Sequence, residues 1–113
     1  MFKNYLTYQL ALSFHRSCLI MDIPENAIKN RLMRSSEEMI RHFSQAVRAS
    51  DAKDESKNLF VSLICLRDCR EILEEAHLQP RQVLSQYETL HGRMEQLVLR
   101  ASEQESGQLR MLG

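Results

Sequence analysis

The chain holds no tryptophan and only three glycines and two prolines in 113 residues, with four phenylalanines and three tyrosines as its whole aromatic complement. So little turn-forming material disfavours a protein of many short strands and tight turns. Three cysteines make an odd number, and none stands in a framework spacing; Cys65 and Cys69 would lie one turn apart on a helix, where a bridge constrains little. Reduced thiols of a cytoplasmic protein are the natural reading. Charge of one sign is also missing, since fifteen Lys and Arg face fifteen Asp and Glu. That balance argues against the strongly basic kind of nucleic-acid binder. No apolar run approaches the ~20 residues of a membrane span. The opening MFKNYLTYQLALSFHRSC is interrupted by polar residues and does not read as a signal peptide.

What is present favours helix. Ala, Leu, Glu, Gln, Arg and Met lose little side-chain freedom in a helix, and the length suits one domain with a core of its own. Four periodic segments are separated by three short breaks, which predicts helices at about 3–21, 24–49, 54–77 and 80–102. The first carries Leu6, Leu10, Phe14, Cys18 and Met21 at steps of three and four; the second carries Ile28, Leu32, Ser36, Met39, Phe43 and Ala46. Pro24 and Pro80 suit helix starts, and the acids of 51–55 suit the positive N-terminus of the third helix. Residues 103–113 lose periodicity and are expected to form a flexible tail. Gly92, inside the fourth helix, predicts a close helix approach. Phe14, Leu32, Phe43, Leu63, Leu73 and Leu90 are expected in the core or in an interface.

Helices of this length joined by short loops must double back, so the expected fold is all-α, an antiparallel up-down-up-down four-helix bundle. The third helix stands out, because Leu59 to Leu66 is apolar on every side except Ser62. A helix apolar all round is buried all round. Either this helix lies deepest in the monomer, or Leu59, Phe60, Leu63, Ile64 and Leu66 form an oligomer interface.

Chemistry is sparse. A di-metal bundle site needs two Glu-x-x-His motifs and two further glutamates, and Glu88-Thr89-Leu90-His91 stands alone. His15 with Cys18, and Cys65 with Cys69, each supply two ligands where zinc takes four. Neighbouring acids such as Glu37-Glu38 and Glu74-Glu75 diverge by about 100° around a helix and cannot converge on one substrate atom. No nucleophile elbow or phosphate loop is present. The reading is a non-enzyme with no cofactor, and a bundle metal protein is a distant alternative. The sharpest functional pattern is on the second helix. Arg34, Arg41 and Arg48 recur every seven residues, with Lys29 and Arg31 near its start. Such a stripe either attracts phosphate or pairs with nearby acids, for example Arg34 with Glu38 one turn on.

The order of short motifs resembles a known family. Phe2-x-x-Tyr5 precedes Leu10-Ala11-Leu12, Leu32-Met33-Arg34-Ser35-Ser36 lies along the second helix, and Leu66-Arg67-Asp68-Cys69-Arg70-Glu71-Ile72-Leu73 along the third. This is similar to the four-helix-bundle proteins encoded by ribosomal-RNA intervening sequences, whose relatives include the accessory variability determinants of diversity-generating retroelements. The resemblance implies a homopentameric ring of antiparallel bundles and, in the retroelement branch, binding to a reverse transcriptase and to nucleic acid. The chain departs from the family pattern at His42-Phe43-Ser44-Gln45-Ala46, where Asn-x-Ala-Glu-Gly is common. It departs again at Cys65, where serine is usual, and at Asp68, where the acid is one methylene shorter. The expected function is therefore an oligomeric adaptor or scaffold binding a protein or nucleoprotein partner. The alternative is a nucleic-acid-binding ring built on Lys29, Arg31, Arg34, Arg41 and Arg48.

Overall fold

The computed structural model describes residues 4–112, the side chains of 108–112 excepted. Phe2 of the first motif and the start expected at residue 3 lie outside the described residues. Four helices follow one another: α1 (Tyr5–Ile20), α2 (Asn26–Arg48), α3 (Ala52–Glu75) and α4 (Arg81–Leu112). No strand occurs among the described residues, and no described helix is long and apolar enough to cross a membrane.

The breaks on either side of α3 are made by identifiable chemistry. Asp51 caps α3, its carboxylate accepting the Asp54 N–H at 2.7 Å, and Asp54 and Glu55 fill the first turn. At the far end of α3 the N–H of His77 bonds the Glu74 carbonyl at 3.0 Å and that of Leu78 bonds the Leu73 carbonyl at 2.9 Å. These two bonds form a Schellman motif, with His77 in the left-handed conformation at φ 57, a position usually given to glycine. The Pro80 carbonyl accepts the Leu84 N–H to start α4.

The helices pack in cyclic order, α1 on α2, α2 on α3, α3 on α4 and α4 on α1, with α2 and α3 the most extensive pair. Contacts across them run antiparallel. His15 meets Ser36, and Tyr8 stacks on Phe43; Arg31 meets Glu75, and His42 meets Asn58. Arg70 meets Glu88, and Arg67 meets Glu95. The up-down-up-down bundle is therefore present in the single chain.

Its core follows the helical stripes. Leu32, Ser36, Met39, Phe43 and Ala46 of α2 are all buried. So are the six residues expected in the core or an interface: Phe14, Leu32, Phe43, Leu63, Leu73 and Leu90. Two buried serines are satisfied across helix pairs. Ser62 donates to the Met39 carbonyl at 2.8 Å, which lets the one polar residue of the apolar run sit in the core. Ser36 donates to the Met33 carbonyl, so its oxygen accepts from Nδ1 of His15 at 2.7 Å.

Three expectations are corrected. Helix α4 does not stop near residue 102 but continues to Leu112; Glu, Gln, Leu, Arg and Met sustain helix through their own propensity after the apolar stripe has ended. Gly92 marks no close approach, because it is exposed and a Cβ there would meet nothing within 4 Å. Leu6 is 56% exposed, and the inward positions at the start of α1 are Thr7 and Ala11.

Candidate functional site

The basic stripe of α2 sits beside acids of the same chain. Lys29, expected to face a ligand, is turned back onto the end of α1. Its ammonium donates to the carbonyls of Leu19 at 2.6 Å, Cys18 at 3.3 Å and Met21. These carbonyls carry the negative end of the helix dipole and lack partners within the helix, so Lys29 is a cap supplied from the next helix. Arg31 pairs with Glu75 at 3.0 Å. Arg41 pairs with Glu38, the acid expected to serve Arg34. Glu38 also lies 3.6 Å from Nε2 of His42, and the hydrogen bond from Arg41 holds its carboxyl below the ordinary carboxylate range. Arg34 lines a cleft of about 250 Å³ between α2 and α3 together with Asp68, Glu71 and Glu75. Arg34 and Arg48 make no ion pair among the described residues.

The apolar stretch of α3 divides into two faces. Leu59, Leu63 and Leu66 are 2%, 3% and 0% exposed and are spent on the chain's own core, so they present nothing to a partner. Phe60 and Ile64, one turn apart, are 50% and 40% exposed and point away from it. Across the helix pair, Phe60 shares a cavity of about 490 Å³ with Val98 and Leu99 of α4, beside Lys53 and Lys57. Leu99 is 63% exposed. Phe60, Ile64 and Leu99 thus leave large apolar surface open on the α3/α4 side. Leu99 escapes a reading of the sequence because it stands beside Leu97 and Val98, the residues that fit the α4 stripe.

A polar network on the same helix pair was also missed. Arg67 donates to Nε2 of His91 at 3.1 Å and lies 3.4 Å from Glu95, whose carboxylate is 3.4 Å from Nδ1 of His91. Accepting at Nε2 places the ring proton on Nδ1, towards Glu95. Arg70 pairs with Glu74 at 3.1 Å and Glu88 at 2.6 Å, with its guanidinium 5.4 Å from the Tyr87 ring centroid. Both members of the Glu88–His91 motif are therefore engaged in inter-helix pairing. The spacing of 67, 70 and 74 against 88, 91 and 95 is visible in the sequence, but only the antiparallel register makes them partners.

The thiols are not activated. Burial pushes the Cys18 thiol up to about 12 and the Cys69 thiol higher still, and burial also raises Cys65. A raised thiol is a poor source of thiolate, the form that attacks carbon or binds metal. Burial lowers His15, with Glu37 opposing and Arg16 reinforcing the shift. Among the described residues no three His, Cys, Asp or Glu side chains are grouped so as to hold a metal. Comparison of the chain with protein-family models, curated proteins and solved structures finds no match to any of them.

Proposed function

We propose that the chain is a non-catalytic, self-assembling helical adaptor whose copies meet on the α3/α4 side. The observation that carries this reading is the exposure of Phe60, Ile64 and Leu99 on one side of a well-packed bundle. Water-exposed apolar surface of this kind marks a place where another molecule docks. The raised thiols and the paired state of Glu88 and His91 favour binding over chemistry. The resemblance to ribosomal-RNA intervening-sequence proteins implies that assembly closes as a ring of five. It also implies that the partner is a protein or nucleoprotein such as a reverse transcriptase. Free thiols at Cys18, Cys65 and Cys69 suit a cytoplasmic setting. A second reading, a nucleic-acid-binding ring, is favoured by Arg34 and Arg48, the two members of the α2 stripe without an ion pair; Lys29, Arg31 and Arg41 are engaged within the chain.

Light scattering on the purified chain tests the proposal. At low micromolar concentration the native chain is expected at several times the monomer mass. Phe60→Lys and Leu99→Lys alter exposed positions, so the helical circular dichroism should persist while the mass falls to that of a monomer. Native-like assembly in both variants would place the contact elsewhere and refute the assignment of this face.

A further inference from the structure

Ile20 is the most exposed large hydrophobic side chain among the described residues, at 84%. It is the last residue of α1 and takes no part in the chain's own core. Asp22 and Glu25 follow it in the α1–α2 turn; both are exposed, and neither makes an ion pair among the described residues. The next base along the chain, Lys29, is tied to the carbonyls at the end of α1 and does not neutralise them. The turn therefore presents an apolar knob with two carboxylates beside it.

The cavity of about 490 Å³ between α3 and α4 is its counterpart: Phe60, Val98 and Leu99 make it apolar, and Lys53 and Lys57, one turn apart, stand beside them. A two-fold contact of this cavity with itself would gather four lysines of two copies at one place, and like charges brought together oppose docking. Knob and cavity also lie at opposite ends of the bundle. The α1–α2 turn is at the end where Arg31 meets Glu75 and Phe14 meets Tyr87. The cavity is at the other, between the start of α3 and residues 98–105 of α4. The sixteen residues of α1, about 24 Å at ~1.5 Å each, separate the two, so a chain cannot seat its own Ile20. Resting on the reading that copies meet on the α3/α4 side, we infer that Ile20 of one copy enters the Phe60/Leu99 cavity of the next, with Asp22 and Glu25 facing Lys53 and Lys57. Arg16, one turn before Ile20, and Glu105 on the cavity wall repeat the pairing with the signs exchanged. The contact is head-to-tail: each copy gives a knob at one end and a socket at the other. Burial of Ile20 drives it, and the charges choose the partner and orientation.

The test is sedimentation velocity on the full chain and its variants, with circular dichroism as the check on fold. Ile20→Lys should weaken self-association at least tenfold and leave the helical signal unchanged, since the position is exposed and a cation suits the C-terminal end of a helix. Asp22→Lys with Glu25→Lys should shift the chain towards monomer, and so should Lys53→Glu with Lys57→Glu. All four changes in one chain restore the opposite signs and should return the native mass. Loss of assembly in Phe60→Lys with native assembly in Ile20→Lys would overturn the inference and leave the α3/α4 face standing as the contact. Failure of the fourfold variant to regain mass, when each pair alone has lost it, would overturn the pairing of these charges. A native chain that stays monomeric would leave the cavity to a different partner, and would overturn both this inference and the self-assembly on which it rests.

Discussion

Replacing Lys29 with methionine separates two roles that one lysine could play. Methionine keeps much of the length and the apolar stem but removes the ammonium. In the folded chain that ammonium holds the Cys18, Leu19 and Met21 carbonyls at the end of α1. A hydrogen bond to a charged group contributes about 1.5–3 kcal/mol, and a cation at a helix C-terminus about 0.3–1 kcal/mol. Lys29 is half-buried, and water replaces part of what it gives, so the three contacts are not additive. A net loss of ~1.5–3 kcal/mol follows. For a domain near this size each kcal/mol moves the midpoint by about 4–6 °C, so Lys29→Met should melt ~6–18 °C below the native chain. Arg31→Met is the control, because both partners of its pair with Glu75 are more than half exposed and such pairs contribute little. It should stay within about 0.5 kcal/mol. Thermal and urea unfolding, followed by circular dichroism at one fixed protein concentration, give both values. A Lys29→Met chain as stable as the native one would refute the capping role and return Lys29 to the candidates for ligand binding.

His77→Gly should raise stability by about 0.5–1 kcal/mol, since glycine occupies the left-handed position of the Schellman motif without the strain of a Cβ; a lower urea midpoint would contradict this. Ser62→Val should cost about 1–3 kcal/mol, because it removes the bond to the Met39 carbonyl and adds bulk to a closed core. A neutral result would mean that the α2/α3 contact has slack. Stability should also fall at alkaline pH. The buried thiols are held neutral in the fold, whereas unfolded thiols ionise near pH 8.5–9. The stabilisation is therefore complete below that range and is lost as pH rises towards the folded value of about 12 for Cys18. At pH 10.5 the loss for Cys18 alone is about 2 kcal/mol, from ~1.4 kcal/mol per unit. Urea unfolding at pH 8 and pH 10.5 under reducing conditions reads it, and equal midpoints would contradict the burial of these thiols.

The parts of this molecule legible in the sequence are those set by local periodicity. Every position assigned to the α2 stripe from Leu32 to Ala46 is buried, because one amphipathic face has only one way to meet a core. The start of α4 beside Pro80 was legible, whereas Asp51, read as part of a turn, is the cap of a helix that begins at Ala52, and α2 begins at Asn26, two residues after Pro24. The end of α4 was not legible, since apolar periodicity reports packing and α4 continues beyond the packed region on propensity alone. Register between helices was hidden throughout. Nothing in the string of residues says that Lys29 reaches back across the α1–α2 turn, or that Glu38 serves Arg41 and not Arg34. For the same reason the all-round apolar run of α3 could be flagged but not divided. Only the packed bundle shows that Leu59, Leu63 and Leu66 are consumed inside while Phe60 and Ile64 remain outside.

Self-association of the native chain is the claim on which the adaptor reading depends, and sedimentation velocity over a hundredfold range of concentration tests it most directly. A single species several times the monomer mass is expected across the upper part of the range, dissociating to folded monomer only on dilution. A helical monomer at every concentration would contradict it, because Phe60, Ile64 and Leu99 would then stay in contact with water.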